Sequence, residues 1–244
     1  MRLRSSVIDV DGLGSSDRDA MFDLMGRTYA NVKRDAFEAD LLAKRWVIQV
    51  HDPVTKQLAG FSTQVVLSLE VDGRPIRALF SGDTVVDRQH WGDIALAHAW
   101  GRLALRLMEG DPTELLYWFL TSKGFRTYKY LPLFFHEWYP RLGLLTPSWQ
   151  RAVTDALGMR VAPLYYDARS QIITAAPGKD YVRAEIADPQ SRSRADEHIN
   201  YFVNRNPRFD RGDELCCLAP LTKLNFTPAA YRVIRSSSSL SMAG

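Results

Sequence analysis

The sequence predicts an α/β fold, a mixed twisted β-sheet flanked by helices on both faces, with a C-terminal extension. Three observations lead there. Leu58 to Val71 and Pro75 to Val86 are alternating runs rich in β-branched residues, and the Asp72-Gly73 pair between them is a strong hairpin signal. Trp91 to Glu109 carries Ile94, Ala97, Gly101, Ala104 and Met108 in one helical row, with Leu96, Trp100, Leu103 and Leu107 beside it. Leu115 to Leu120 is a short, wholly apolar run, the kind buried on both faces of a sheet. Strand, helix and second strand form a right-handed β-α-β unit, which places a ligand at the carboxyl ends of its strands.

Upstream of the hairpin, a short strand is expected at Val7 to Val10, followed by a turn over Asp11 to Gly14. Ser16 or Asp17 can cap a helix to about Tyr29, with Met21, Leu24, Met25 and Thr28 on its inner face. A second helix covers Asp35 to Lys44, where Phe37, Leu41 and Leu42 recur near helical spacing. Trp46 to Val50 then reads as a strand closed by His51-Asp52-Pro53. On the long helix, His98, Arg102, Arg106 and Glu109 form a separate polar row, and Gly110-Asp111-Pro112 ends it. Ser122 to Phe135 is a loop entering a helix that Pro132 stops or kinks.

Downstream lie a helix over Thr146 to Leu157, weak strands at 161–166 and 172–174, and a helix over Ala195 to Asn204. A buried strand over Leu215 to Ala219 follows. This is too much apolar material for a tail, so the segment either extends the sheet or supplies one side of a ligand site. Residues 1–145 are assigned to the core, 146–235 to the extension packed on it, and 236–244 to a disordered tail.

Composition narrows the classes. Apolar residues at 46% and charged residues at 24% are an ordinary globular balance, and 244 residues suffice for one domain with an extension. No stretch of eighteen apolar residues occurs, so no bilayer span is expected, and Met1 to Ser6 lack the apolar run of a secretory signal. Cys216 and Cys217 are neighbours that point to opposite faces of a strand, a poor geometry for a disulfide. The pattern reads as a reduced, cytoplasmic protein. A net charge of +3, with arginines spread along the chain, does not demand nucleic acid. No histidine pair has metal-ligand spacing, so no metal is expected; His51 and His198 read as surface residues.

Ala78 to Leu96 reads as a strand, a tight loop and a helix start. Here the chain resembles the Gcn5-related N-acetyltransferase (GNAT) superfamily, whose members run a strand ending in Val-x-Pro into a loop of Gln or Arg, two residues, Gly, one residue, and Gly or Ala. Val85-Val86-Asp87 stands for the strand end and Gln89-His90-Trp91-Gly92-Asp93-Ile94 for the loop. Gly92 matches the first glycine, Ile94 replaces the second, and Asp93 adds a negative charge. The resemblance implies a GNAT-like sheet, with Val85, Val86, Gln89, His90, Trp91, Gly92 and Asp93 binding the donor, acyl-CoA or acyl-phosphopantetheine. Free N–H groups and the positive end of a helix attract its phosphate. The altered loop suits a carrier-protein thioester, where a single phosphate needs holding. Tyr117 to Tyr128 resembles the family's later strand and the helix after it, where two diverging strands admit the pantetheine arm; Ser122 and Arg126 join the donor-binding set there. By the same resemblance Tyr128 or Tyr130 protonates the departing thiolate. The match covers roughly residues 15–140.

Several side chains carry two readings. Asp83 lies two residues beyond Ser81, so strand alternation puts both on one face, opposite Gly82 and Thr84. A carboxylate within a sheet is costly unless paired or facing a cleft. In a cleft its raised pKa suits it to take a proton from an ammonium nucleophile, directly or through water; otherwise it caps a bulge or bonds a neighbouring strand. His90 binds a phosphate, serves as base, or is a solvated turn histidine. His136-Glu137 shapes an acceptor pocket or ends an aromatic helix. Lys123, Arg126 and Lys129, three apart, form a face for an acidic acyl-carrier protein or a coenzyme phosphate, or are solvated charge. The aromatics between Tyr117 and Tyr139 are core, or line a tunnel for a long acyl chain.

With the resemblance, these residues imply an N-acyltransferase. It would move an acyl group from acyl-CoA or an acyl-carrier protein to an amine of a small molecule or peptide. The alternatives are a catalytically silent domain of the same fold, binding an acyl thioester or a protein, and an unrelated α/β interaction module.

Overall fold

Asp72 and Gly73 turn the chain with both residues at positive φ, +47° and +74°, the conformation that a two-residue hairpin demands. They join the two longest strands, so that Val71 faces Arg74. The computed structural model describes residues 2–110, 115–187 and 196–236. In chain order its first half comprises β1 (Arg4–Asp9), α1 (Ser15–Thr28), β2 (Tyr29–Ala30), α2 (Arg34–Leu42), β3 (Trp46–His51), β4 (Leu58–Val71), β5 (Arg74–Val86) and α3 (Ala95–Leu107). Then come β6 (Leu115–Ser122), α4 (Phe125–Tyr128), α5 (Tyr130–Phe134), α6 (Ser148–Val161), β7 (Tyr166–Asp167), β8 (Ile172–Ile173) and β9 (Tyr181–Val182). The chain closes with α7 (Ala184–Ala187), α8 (Glu197–Arg205), β10 (Glu214–Pro220) and α9 (Pro228–Ile234).

Eight strands form one mixed sheet in the order β1-β3-β4-β5-β6-β10-β8-β7. Only β5 and β6, joined through α3, run parallel. The expected α/β architecture is therefore present, with helices on both faces. One face carries α1 and α2, packed on Val47, Phe61 and Val85, and α6, packed on Phe80, Phe119 and Leu218. The other carries α3, α5 and α9, packed on Leu79, Trp118, Leu120 and Cys217. Both cysteines are buried and free, on opposite faces of β10. The C-terminal segment enters the sheet itself, because β10 pairs along β6 from Leu215–Ser122 to Pro220–Tyr117.

Four local expectations change. His98 does not belong to a solvated row: it is buried, with Nδ1 at 3.0 Å from the Val233 carbonyl of α9. Leu42 is exposed, because α2 ends there and only Phe37 and Leu41 reach the core. The helical segment after β6 breaks at Lys129 rather than at Pro132, which lies in the first turn of α5, where a missing N–H costs little. Val161 to Tyr166 is mainly the end of α6 and a turn; only Tyr166 joins a strand. The helix stop at Asp111-Pro112 and the tail from residue 237 lie outside the described residues.

α3 and α9 cross closely because position 101 has no side chain. A methyl at Gly101 would stand 2.4 Å from Ile234 Cγ1. Overpacking of this kind costs about 1–3 kcal/mol, which exceeds the gain of about 1 kcal/mol in helix propensity. Gly101→Ala should therefore lower the urea midpoint, whereas the same change at an open helical site such as Gly26, where nothing lies within 4 Å, should raise it.

Candidate active site

The parallel ladder between β5 and β6 runs from Ile76–Leu115 to Ser81–Leu120 and stops. Both strands continue. β5 stays with β4 through Val86, and β6 stays with β10 through Ser122. The two strands part at their carboxyl ends, where a β-α-β unit is expected to bind its ligand.

A bulge starts the parting. On β4 only Thr63 lies between the pairs Ser62–Thr84 and Gln64–Ser81, whereas β5 places Gly82 and Asp83 there. An added residue reverses alternation, so Ser81 and Asp83 do not share a face as the sequence suggested. Ser81 and Thr84 face α3, in one run of hydrogen bonds. Trp118 Nε1 donates to Ser81 Oγ (2.9 Å), Ser81 to Gln64 Oε1 (2.7 Å), and Gln64 Nε2 to Ser62 Oγ (2.7 Å). The Ser62 and Thr84 hydroxyls then meet at 2.6 Å. Gly82 is required at the bulge, since a methyl there would lie 2.7 Å from Lys44 Cε and Thr63 Oγ1.

Asp83 lines a cavity of about 370 Å³ on the α1–α2 side, beyond the end of the ladder. Tyr29, Asp40, Lys123, Asp180, Glu214, Tyr130, Trp91 and Arg126 also line it. A second space of about 30 Å³ on the α3 side shares Gly82, Thr84, Thr121, Thr127 and Tyr130 with the first, so the gap between the strands opens to both faces.

The cavity's charges are tightly organised. Lys123 Nζ contacts Asp180 Oδ2 at 2.6 Å and Glu214 Oε1 at 3.7 Å, and lies 5.3 Å from the Tyr29 ring centre. Burial pulls the Lys123 ammonium down, but Glu214, Asp180 and Asp83 outweigh it and its pKa rises. Glu214 is held below the usual carboxylate range, because Lys123 and Lys179 overcome its burial. Burial foremost, and the charges of Asp83 and Asp180 against that of Lys123, push Tyr29 up. Asp83 moves oppositely to Glu214. Its burial, then the nearby charge of Asp40, raise it to about 6 despite Lys123 and Lys44. A carboxylate near 6 is suited to accepting a proton at neutral pH.

The loop before α3 is less open than its sequence suggested. The Gln89 amide donates to Asp87 Oδ1 (3.0 Å), His90 to Asp87 O (2.9 Å), and Asp93 to His90 O (3.1 Å). Asp93 Oδ1 accepts from the Ala95 amide at 2.7 Å and so occupies the start of α3. Gly92 supplies the turn at φ +96°. Asp87 N–H bonds to Ala59 O at 2.8 Å, so alternation turns the Val86 peptide away from β4, toward the parted side. Trp91 Nε1 donates to the Val86 carbonyl there, at 3.1 Å.

Of the sequence-predicted residues, Asp83, Val85, Val86, Trp91, Arg126 and Tyr130 meet at the cavity, and His90, Gln89, Gly92, Asp93 and Ser122 do not line it. Ser122 Oγ bonds to Gly124 O at 2.8 Å. Tyr128 is fully buried instead, its hydroxyl donating to Pro140 O at 3.0 Å and its ring against Phe202. Lys123, Arg126 and Lys129 form no common face: they meet Asp180, Trp91 and Asp196 respectively. His136 and Glu137 are tied to Asn225 by backbone hydrogen bonds away from the cavity. Tyr29, Asp180 and Glu214 carried no sequence signal.

No family model matches the chain, and no curated protein matches it. Among solved structures, a probable N-acyltransferase from Enterococcus faecalis V583 is similar over 57% of this chain and 33% of its own, at 13% identity and TM-score 0.42. Saccharomyces cerevisiae N-myristoyltransferase with bound myristoyl-CoA is similar over 50% of this chain and 29% of its own, at 17% identity and TM-score 0.40. A GNAT family N-acetyltransferase from Escherichia coli in complex with CoA gives 50%, 65%, 13% and 0.36 in the same order. The chain thus spans about a third of the length of the first two. These are partial likenesses, and the site stands on its own geometry. Among the described residues no cluster of His, Cys, Asp and Glu is arranged to hold a metal, and no helix is long and apolar enough to cross a membrane.

The Asp83 pKa of about 6 lies above the ordinary 3.8, so folding favours its protonated form. The stability this confers is complete below pH 3.8 and is lost as pH rises through about 6. Asp83→Asn should therefore stabilise the fold by about 2 kcal/mol at pH 7.5, with little difference at pH 4, in urea titrations at the two values.

Proposed function

We propose that this chain is an N-acyltransferase that moves an acyl group from a pantetheine thioester to an amine. The observation that carries this reading is the parting of β5 and β6 beyond Ser81–Leu120, with Asp83 in the cavity that opens there. The gap admits the pantetheine arm, and the thioester comes to rest between the Val86 peptide and Tyr130. The acceptor enters from the α1–α2 side as an ammonium. Asp83 takes its proton, directly or through a water, and the free amine attacks the thioester carbonyl carbon. As the C–N bond forms, the carbonyl oxygen gains charge and accepts a hydrogen bond from the Val86 N–H. The C–S bond then breaks and the thiolate takes the proton of the Tyr130 hydroxyl. The proton that the nitrogen sheds in becoming an amide returns to the tyrosinate, leaving an amide and a thiol, with Asp83 passing its own proton to water. Burial raises the Tyr130 pKa, so the hydroxyl holds its proton at neutral pH and gives it up only as the proton from the nitrogen replaces it.

Tyr130 supports this role better than Tyr128, whose hydroxyl is engaged with Pro140. Its ring stacks on Phe134 at 5.6 Å, which fixes the hydroxyl's direction. The donor is acyl-CoA or an acyl-carrier protein, and the acceptor a small molecule or peptide that presents a primary amine. Most of the aromatic run packs as core: Trp118, Phe119, Tyr128 and Phe135 are buried. Trp118 and Phe135 cluster with Trp100 and Phe226, and of these Trp100 and Trp118 border the smaller space on the α3 side.

Thiol release from acyl-CoA in the presence of a panel of primary amines tests the reading. Turnover should rise with pH along a limb with an apparent pKa near 6, the value of Asp83. Asp83→Asn should lower kcat by about 10²–10⁴-fold and remove that limb, and Tyr130→Phe should lower kcat with the limb retained. Binding of acyl-CoA without release for any amine would favour the silent domain instead. Neither binding nor release would end the acyltransferase reading.

A further inference from the structure

The amides of Gln89, His90, Trp91, Asp93 and Ala95 are engaged within the loop before α3, and the Asp93 carboxylate sits at the start of the helix. An incoming phosphate would find the N–H groups of Gly92, Ile94 and the first turn of α3 without acceptors, but would meet the negative charge of that carboxylate among them. Two guanidinium groups lie close by. Arg126 Cζ stands 3.8 Å from the centre of the Trp91 ring, and Arg88 Cζ stands 5.7 Å from it. Trp91 is anchored to the end of β5 through its bond to the Val86 carbonyl, and both Trp91 and Arg126 line the cavity.

The pair is uncompensated. Among the described residues neither Arg88 nor Arg126 has a carboxylate within ion-pair distance. The nearest acids in sequence are engaged elsewhere: Asp87 with the Gln89 amide and Arg27, Asp93 with the Ala95 amide. Partial burial against Trp91 first, and then the like charge of Arg88, lower the Arg126 pKa. The indole face attracts a guanidinium but leaves its N–H edges free, and these are shaped to grip a phosphate in bidentate fashion.

Resting on the acyltransferase reading, we propose that Arg88 and Arg126, held on Trp91, bind the phosphate that ends the donor's 4′-phosphopantetheine arm, so that guanidinium side chains supply the positive charge that Asp93 offsets at the start of α3. A single phosphate can accept from two guanidiniums, and that group is common to coenzyme A and to the prosthetic group of a carrier protein.

Titration calorimetry with pantetheine, 4′-phosphopantetheine, CoA and a holo-acyl-carrier protein tests this. The wild-type chain should bind 4′-phosphopantetheine at least tenfold more tightly than pantetheine. Arg88→Gln and Arg126→Gln should each reduce that preference, and together abolish it, while pantetheine binding stays unchanged. Both positions are exposed, so the variants should keep the wild-type circular dichroism and urea midpoint. Tighter binding of the holo-carrier protein than of CoA would assign a carrier-protein donor, and the reverse the free coenzyme; in either case the double variant loses the phosphate's contribution. Equal affinity of the wild type for pantetheine and 4′-phosphopantetheine would overturn the clamp and leave the acyltransferase reading intact. So would a preference that survives in the double variant. If none of the four ligands binds, the acyltransferase reading fails and takes the clamp with it.

Discussion

The whole site depends on β5 holding one residue more than β4 between Ser81 and Thr84. A regular strand would present Asp83 beside Ser81, in the packed layer under α3, where a carboxylate has no partner and no solvent. The bulge turns it to the opposite face and into the cavity. Bulges twist and bend the strand that carries them, and here the bend falls where pairing with β6 ends. The run of hydrogen bonds from Trp118 to Thr84 crosses β4, β5 and β6 beneath the opening, so it fixes the bulge to both neighbouring strands. Every donor in its first three links points the same way, an arrangement in which each bond polarises the next.

The second constraint is electrostatic. Four carboxylates, Asp40, Asp83, Asp180 and Glu214, line one cavity with Lys33, Lys123, Lys179 and Arg126, so each carboxylate's behaviour depends on which cation it meets. The structure separates them by partner. Asp180 and Glu214 take Lys123, and Asp40 takes Lys44 at 2.6 Å, which leaves Asp83 without a direct ion pair among the described residues. Glu214 is held in its charged form by its lysines, and the unpaired Asp83 becomes the group whose charge changes near neutral pH. Such a carboxylate weakens the fold and suits proton transfer, the usual opposition between stability and activity at a site.

Local signals were legible and non-local ones were not. Asp72-Gly73 announces its hairpin because few other residues adopt two consecutive positive φ values, and α3 and β6 announce themselves by periodicity and by an unbroken apolar run. The family-like loop was placed correctly between β5 and α3, yet its hydrogen bonding was not, since nothing in the string Gln89 to Ile94 shows that Asp87 and Asp93 fold back onto its amides. The bulge left one trace, Gly82, and a glycine in a strand has several explanations. The reading of Lys123, Arg126 and Lys129 as one face assumed a helix across all three, whereas the helix begins at Phe125 and breaks at Lys129. Tyr29, Asp180 and Glu214 come from segments far apart in the chain that meet only through tertiary pairing.

That pairing explains why the C-terminal segment matters to the site. Tyr29 and Ala30 pair with Val182 and Tyr181, Asn31 Nδ2 donates to Gly178 O at 2.6 Å, and Arg183 donates to Gly26 O through Nε and Nη2. The chain from 178 to 183 thus straps the end of α1 and carries Asp180 to Lys123. β10 does the same from the other side: its first residue, Glu214, reaches Lys123 just where Leu215 pairs with Ser122. Without these two carboxylates Lys123 would be a buried ammonium facing Asp83 alone. It would pair with Asp83, and the pairing would pull that carboxylate back toward an ordinary acid. The later segment therefore helps keep Asp83 free by occupying Lys123, as Asp40 does by occupying Lys44.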